Sequence, residues 1–422
     1  MNSVNKNNTF ENIIFILIIT NIFLGKYLEN LLIFNYPLNQ LILIILLFKI
    51  KFIQIIKDFL INIKYGDVLF FYLLFSFIQL FFYTIENGIF ALRDGLYIIN
   101  FLYLFIGYYY SVNCNFNRLK NLFKVIIFLS FIYIFLNIID YESPIKLISV
   151  LGNSYNLINY GNLSIACSLS ILILTIYHER SLKDYILIII LILFSIIILQ
   201  QRVIYLIYFI LFIYLLKLKI ITLANSILNI LLLFLLLLLF ITLDFTIKGR
   251  LDVFNFNFLM DHFLSIFTPI INDEYSTLNY QGSVNDRLNW WSEIINKSFS
   301  TVKLFIIGNG FGMRVIDFSS VNILIREPHN MLLTIIARQG YLGLSLFIII
   351  QFLFFKTFIS KINLVKNAKD FNQSFKTLLI LFGYILITIS MSTGTSILNK
   401  SGISIPYYLF WGMIIGYNKK LK

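Results

Sequence analysis

The sequence predicts an all-α, polytopic integral membrane protein with about twelve transmembrane helices and one long extracytoplasmic loop. Of its 422 residues, 59% are hydrophobic and 13% are charged, and runs such as Leu231–Phe240 contain no polar side chain. A soluble domain could not bury so much apolar surface, whereas a bilayer requires roughly 20 apolar residues for each span. Loops rich in Lys and Arg also alternate along the chain with loops that contain few of them, as they do in membrane proteins.

The predicted spans divide the chain into three regions. Residues 1–243 form the N-terminal membrane helices, 244–329 form the long loop, and 330–422 form the C-terminal membrane helices. The first apolar stretch lacks a small-residue cleavage site and follows Lys6 and Glu11, so we expect a retained helix rather than a signal peptide. The spans are expected at 12–25, 31–48, 67–84, 89–112, 120–138, 156–177, 184–200, 202–216, 221–243, 330–355, 375–392 and 403–417.

The positions of the basic residues predict the orientation of the chain. If the N-terminus is cytoplasmic, the segments on that side carry 20 Lys and Arg residues, the short outside loops carry five, and eight lie between Lys248 and Arg338. The positive-inside rule therefore places both termini in the cytoplasm and the 244–329 loop outside. The net charge of +13 then reflects topology and contact with anionic headgroups rather than nucleic-acid binding. The five outside residues are Lys26, Arg93, Lys146, Arg202 and Lys400.

The long loop is expected to lie against the membrane. Val253–Ile271 mixes apolar and charged residues, which suits either an interfacial or re-entrant helix or an apolar lid. Ser283 and Asp286 predict the start of a second helix that runs to about Phe299. Its apolar stripe comprises Leu288, Trp291, Ile295 and Phe299.

Two interpretations of this second loop helix remain open. Arg287 and Trp291 are four residues apart and share a face. The helix is either an amphipathic surface helix with an interfacial tryptophan, or part of an anion site in which aromatic packing holds Arg287.

Two motifs follow the loop helix. Gly308, Gly310 and Gly312 alternate along the chain, but they lack the Lys-Ser/Thr of a phosphate-binding P-loop, so we expect a tight turn back to the membrane. The polar segment Arg326–Asn330 then leads into a strongly apolar helix. A protonatable imidazole and a guanidinium at a membrane surface indicate a site rather than packing.

The order and spacing of these motifs resemble the O-antigen ligase/polymerase family of bacterial envelopes. The resemblance is dense over 285–345, and the ligase-like core is expected at about 184–355. Members of that family act on glycans carried by undecaprenyl pyrophosphate at the outer face of the inner membrane. The residues that carry the resemblance are Arg287, Trp291, Gly308, Gly310, Gly312, His329, Asn330, Gly340 and Gly343.

The resemblance implies a role for each site residue. His329 corresponds to the family's loop histidine and would be the catalytic general base, since its ordinary pKa suits proton transfer near neutral pH. Arg202, Arg287 and Arg326 would bind the pyrophosphate, because a guanidinium can hold two phosphate oxygens. At Arg202 the sequence departs from the family, since Gln201 stands where a Ser usually precedes the arginine. Supporting roles are expected for Asn330, Glu327, Trp291, Gly340 and Gly343.

The predicted function is polymerisation of lipid-linked oligosaccharide repeats. The short segments between helices and the lack of an added soluble domain offer no dock for a large acceptor, which favours a polymerase over a ligase that acts on lipid A core or protein. A transporter or flippase of the same glycans is a further alternative, although its ionisable residues would be expected near the middle of its spans.

The resemblance also implies the cellular setting. The protein is expected in the bacterial cytoplasmic membrane, where its partners would be the undecaprenyl-pyrophosphate-linked glycan, membrane lipid, a chain-length regulator and a flippase. No cofactor or metal is expected, because the Cys and His spacing suggests no metal site and no acidic pair accompanies a soluble sugar-nucleotide domain. No nucleic acid is expected either, because the predicted topology accounts for the positive net charge.

Overall fold

The computed structural model describes residues 2–33, 36–114, 118–139, 146–148, 154–156, 159–177, 182–222, 247–248, 253–254, 257–258, 280–317, 324–325, 328–365, 373–393 and 397–420. These residues are helical apart from short antiparallel ladders, which confirms the all-α class. The α-helices are α1 (Asn2–Asn30), α2 (Leu38–Lys49), α3 (Phe52–Asn62), α4 (Gly66–Asn87), α5 (Ile89–Asp94), α6 (Leu96–Phe101), α7 (Tyr103–Asn113), α8 (Leu119–Ile139), α9 (Tyr160–Tyr177), α10 (Leu182–Phe194), α11 (Arg202–Lys217), α12 (Tyr280–Ser298), α13 (Val302–Ile307), α14 (Met331–Val365), α15 (Gln373–Ser392) and α16 (Ser401–Lys420).

The remaining regular elements are short. A π-helix, Ser195–Leu199, extends α10, and a 3₁₀ turn, Ile397–Asn399, precedes α16. Each strand pairs with the next one along the chain in an antiparallel hairpin. The pairs are β1 (Leu32–Ile33) with β2 (Tyr36–Pro37), β3 (Lys146–Ile148) with β4 (Ser154–Asn156), β5 (Ile247–Lys248) with β6 (Val253–Phe254), and β7 (Ile316–Asp317) with β8 (Leu324–Ile325).

Several described helices are long and apolar enough to cross a membrane. Five pass on length and composition, namely Gly66–Asn87, Leu119–Asn137, Tyr160–Tyr177, Met331–Ser360 and Gln373–Ser392, and the bent pair α2 and α3 would make a sixth. The expected span 221–243 falls almost entirely outside the described residues, as does most of Val253–Ile271. Twelve spans and the long loop therefore remain predictions.

Two predicted helices are interrupted where distant residues pack against them. The expected helix 89–112 is divided into α5, α6 and α7, with Gly95 packed against the side chain of Leu80. The expected helix 330–355 begins as predicted but breaks at Gly340, which has φ +66° and lies against the backbone of Ile306. Both predictions of a single uninterrupted helix were wrong, and at Gly95 and Gly340 the helix is interrupted where another part of the chain packs closely against it.

Other helix boundaries also differ from the expected ones. α2 begins at Leu38, after Pro37 at its N-cap, rather than at 31. The basic segment after α2 was expected to be a loop, but Phe52–Asn62 forms the helix α3. The loop helix α12 begins at Tyr280, before the predicted Ser283, and ends at Ser298, close to the predicted end.

The helices α7 and α16 pack backbone against backbone. Gly107 in α7 faces the carbonyl oxygen of Leu409, and Gly412 in α16 faces the carbonyl oxygen of Leu104, so that a Cβ at either glycine would overlap backbone. Small residues at such a crossing let two membrane helices approach until their backbones touch. The buried Trp411 and the ring of Phe101, 5.7 Å apart between centroids, fill the space beside this contact.

A buried polar network joins α1, α2, α6 and α16. Asn39 donates to Asn21 at 3.1 Å, Gln40 donates to Asn100 at 3.2 Å, and Asn100 donates to Ser404 at 2.8 Å. Polar side chains inside an apolar bundle are stable only when they are paired, so this network fixes which faces of the helices meet.

The α7–α16 contact predicts that glycine substitutions will differ in the sign of their effect on stability. Gly107→Ala and Gly412→Ala should each destabilise the protein by about 1–3 kcal/mol, since the new methyl group overpacks a backbone contact. Gly161→Ala, the matched control in α9, meets nothing closer than Asn159 Oδ1 at 3.4 Å and should be neutral or stabilising. Thermal unfolding in detergent measures the difference, and equal behaviour of the three variants would contradict the packing described here.

Candidate functional site

His329 lies in a short turn immediately before α14. Its φ of +53° places it in the left-handed region, which only a few non-glycine residues adopt, histidine among them. The next residue, Asn330, caps the helix, because its Oδ1 accepts from the backbone N–H of Leu333 at 3.2 Å. The predicted supporting residue Asn330 therefore fixes the end of the helix beside the histidine.

The loop helix α12 supports this turn through two tryptophans. Trp291 Nε1 donates to the carbonyl oxygen of Pro328 at 2.8 Å, and the ring of Trp290 lies 6.3 Å from that of His329 between centroids. Trp290 also packs against a buried cluster of Ile294, Val315 and Ala337. Trp291 is thus bonded to the turn rather than only anchored at an interface. The apolar stripe predicted for α12 is largely solvent- or lipid-facing, since Leu288, Ile295 and Phe299 are exposed.

Two cations lie close enough to His329 to change its protonation. Burial is the largest cause that lowers the pKa of His329 from 6.5, and the charges of Arg287 and Lys400 lower that pKa further. Burial also lowers the pKa of the half-buried Arg287, which still leaves it charged at neutral pH. The structure therefore brings α12, which carries Arg287, beside His329, and the surroundings of His329 favour its neutral imidazole.

Lys400 is a site residue that the sequence reasoning missed. It precedes α16, and its carbonyl oxygen accepts from Ile403 and Ser404 at 3.0 and 2.9 Å. Thr393, which follows α15, also lies beside the turn of His329, because Asn330 Nδ2 donates to its carbonyl oxygen at 3.5 Å. The available signal was its place among the five basic residues of the short outside loops, a class that also contains Arg202.

Arg202 begins α11 at the same end of the bundle. Gln200, the C-cap of the preceding π-helix, has φ +46°, and Gln201 Oε1 accepts from Ser164 at 2.9 Å. The start of α9 that carries Ser164 also lies beside the end of α15, since a Cβ on Gly161 would be 3.9 Å from Met391 Cε. A path of contacts through α9 and α15 thus connects the Arg202 end of α11 to the turn that holds Asn330 and His329.

The alternating glycines form a turn that is clamped onto α14. Gly308, Gly310 and Gly312 all have positive φ, and the amides of Asn309 and Gly310 donate to the carbonyls of Ala337 and Arg338 at 2.7 and 3.1 Å. The Gly312 amide donates to Asp94 Oδ2 at 3.1 Å. Because these amides are committed inside the protein, the segment is a structural turn, as predicted, and does not present them to a phosphate.

The side chain of Arg338 also binds the glycine turn. Its guanidinium is buried, pairs with Asp94 at 2.8 Å and donates to the carbonyl oxygens of Gly310 and Met313. Gly340 supports this arrangement, because any side chain there would collide with Ile306 and Gly308. Gly343 leaves room for the side chain of Gln339, which donates to Ser76 at 2.7 Å. The predicted supporting residues Gly340 and Gly343 therefore allow the close packing of α14, the helix that His329 precedes.

Two predicted site residues, Arg326 and Glu327, lie outside the described residues. Their assignments as a pyrophosphate ligand and a supporting group stay predictions.

Comparison of the chain with family models, with curated proteins and with solved structures found no match.

The electrostatics of the site predict how His329 titrates. In a variant with His178 and His262 replaced by Gln, the absorbance of the imidazole acylated by diethylpyrocarbonate reports on His329 alone, because no other histidine remains. The reagent attacks the imidazole only in its neutral form, so the rate follows the titration. The rate should stay high to a pH below the usual histidine range. In Lys400→Gln the rate should fall at a higher pH, since removing a nearby positive charge raises the pKa of His329.

Lys303→Gln is the matched control for this measurement, since it removes the same charge from α13. An unchanged titration in the Lys400→Gln variant would mean that Lys400 does not face the histidine.

Proposed function

We propose that this protein is a membrane glycosyltransferase that polymerises undecaprenyl-pyrophosphate-linked oligosaccharide repeats at the outer face of the cytoplasmic membrane. The observation that carries the proposal is the turn that holds His329 against Trp290 and Trp291 of α12, the helix that also carries Arg287. Burial and the charges of Arg287 and Lys400 lower the pKa of His329 there. This arrangement suits a reaction that removes a proton from a neutral group while negative charge leaves on a phosphate.

The cations would receive the leaving group. When the bond between the anomeric carbon and the phosphate oxygen breaks, the pyrophosphate takes the electron pair, and fixed cations stabilise the charge that develops. Arg287 would hold two phosphate oxygens through its planar guanidinium, and Lys400 would add a point charge. Arg202 and Arg326 complete the proposed set of pyrophosphate ligands.

His329 would accept the proton of the attacking hydroxyl as that oxygen bonds to the anomeric carbon. One displacement of this kind inverts the anomeric configuration and needs no covalent glycosyl intermediate. The lowered pKa of His329 favours the neutral form but makes the imidazole a weaker base. Binding of the negatively charged donor would offset the fields of Arg287 and Lys400, and it would therefore raise the basicity of His329 when the substrate is in place.

The proposed topology has twelve spans, both termini in the cytoplasm and the 244–329 loop outside. One pair of contacts supports this arrangement. Arg118, just before α8, pairs with Glu11 of α1, which places these two residues at one end of the bundle, whereas Asp94 bonds to the glycine turn at the other. A flippase would deliver the lipid-linked repeats and a chain-length regulator would act on the product.

The nature of the acceptor separates the polymerase from a ligase, which would use the same donor and the same residues. Purified lipid-linked repeats, supplied without lipid A core or protein, provide the test. A ladder of longer lipid-linked glycans supports polymerisation, whereas product formed only after a core acceptor is added would identify a ligase.

The phosphate role of Arg287 predicts that charge alone is insufficient. Arg287→Lys keeps the positive charge but loses the two-point contact, so polymer formation should remain strongly impaired. Arg314→Lys makes the same substitution at an exposed position near the glycine turn and should be active. Near-normal activity of Arg287→Lys would leave only a general electrostatic role.

The base role of His329 predicts a loss that does not depend on folding. General-base assistance is typically worth about 10²–10⁴ in rate, so His329→Gln should lose polymer formation while still binding the donor. His329→Asn is the second variant, because asparagine tolerates the left-handed backbone that this position requires. Wild-type rates in either variant, at equal membrane abundance, would make His329 a structural residue of the turn.

A further inference from the structure

The elbow between α2 and α3 lies far from the candidate site. The two helices meet at 83°, and Lys51 at the corner has φ +47°. α4 begins soon after α3 and extends for 22 residues, or roughly 33 Å. At its far end Asn87 donates to the carbonyl oxygen of Phe311 at 2.9 Å. The elbow is therefore at the opposite end of α4 from the glycine turn.

α3 has the composition of a helix that lies along a membrane surface. Phe59 on its inner face is buried, whereas Ile53 and Ile61 are 84% and 72% exposed. Lys51 and Lys57 are exposed as well. If α2 and α3 formed one broken span, these two charges would lie within hydrocarbon, which is costly. At the interface, by contrast, the apolar side chains enter the lipid and the lysine heads reach the headgroups.

The elbow encloses an open groove with a volume of about 820 Å³. Its apolar wall is formed by Ile44, Leu47 and Phe48 from α2 and by Phe52 and Ile53 from α3. Lys51 and Lys57 also line the groove, so that two positive charges border its apolar wall.

We propose that this groove binds one anionic phospholipid, with its phosphate between Lys51 and Lys57 and an acyl chain along the apolar wall. Charge complementarity selects the headgroup, since the phosphate of a zwitterionic lipid is already offset by its own cation. The acidic residue of α3, Asp58, accepts from Tyr108 of α7 at 2.7 Å and so faces the bundle. The inference does not depend on the proposed catalytic function.

The test uses the full chain, purified in detergent and titrated with phosphatidylglycerol or phosphatidylcholine, with bound lipid counted by native mass spectrometry. The wild-type protein should retain one phosphatidylglycerol in preference to phosphatidylcholine. The double variant Lys51→Gln/Lys57→Gln should weaken that binding by about fivefold for each lysine. Lys49→Gln/Lys64→Gln removes the same charge from exposed neighbours outside the groove and should retain the lipid.

A third variant tests the apolar wall. Ile44 is 49% exposed, so Ile44→Trp fills the groove without disturbing the core and should displace the acyl chain. Equal losses in the two lysine double variants would reduce the effect to general surface charge and overturn the proposal. Unchanged phosphatidylglycerol binding in Lys51→Gln/Lys57→Gln or in Ile44→Trp would overturn it as well.

Discussion

The charge of Arg338 has to be compensated inside the protein, and the way this is done fixes the geometry of the candidate site. The side chain is only 2% exposed, so it relies on Asp94 and on the carbonyl oxygens of Gly310 and Met313. These partners belong to different elements: α5, the glycine turn and the segment that follows it. A buried ion left without a partner is strongly destabilising, so these elements and α14 are held as one unit. His329 precedes the same helix and is positioned by that unit.

Helical class could be predicted from the sequence because a membrane span must satisfy its own backbone hydrogen bonds. That requirement leaves a local signature, a long apolar run with charges beyond its ends. The breaks at Gly95 and Gly340 leave no such signature. They depend on Leu80 and Ile306, which are distant along the chain and become neighbours only in the folded bundle. The helix α3 was missed for a different reason: it is short, and the lysines within and around it, Lys49, Lys51, Lys57 and Lys64, indicated a basic cytoplasmic loop.

The candidate site was predictable where a motif carried it. The order of Arg287 and His329 along the chain placed them in one site, and the structure brings them within electrostatic reach of each other. Lys400 and Trp290 belong to no motif. Lys400 acts on His329 through its charge, and Trp290 reaches the site because α12 turns that face toward the histidine. Contacts of this kind are set by helix packing, which a single sequence does not encode locally.

The helix starts at the His329 end of the bundle have an electrostatic consequence of their own. α9, α11, α14 and α16 all begin there, at Tyr160, Arg202, Met331 and Ser401. Each N-terminus carries a macrodipole equivalent to roughly half a positive charge, since its first amides have no partner within the helix. This positive field belongs to the backbone, and no side-chain substitution removes it. An anion at this end of the bundle would keep part of its attraction even if every arginine and lysine around His329 were neutral.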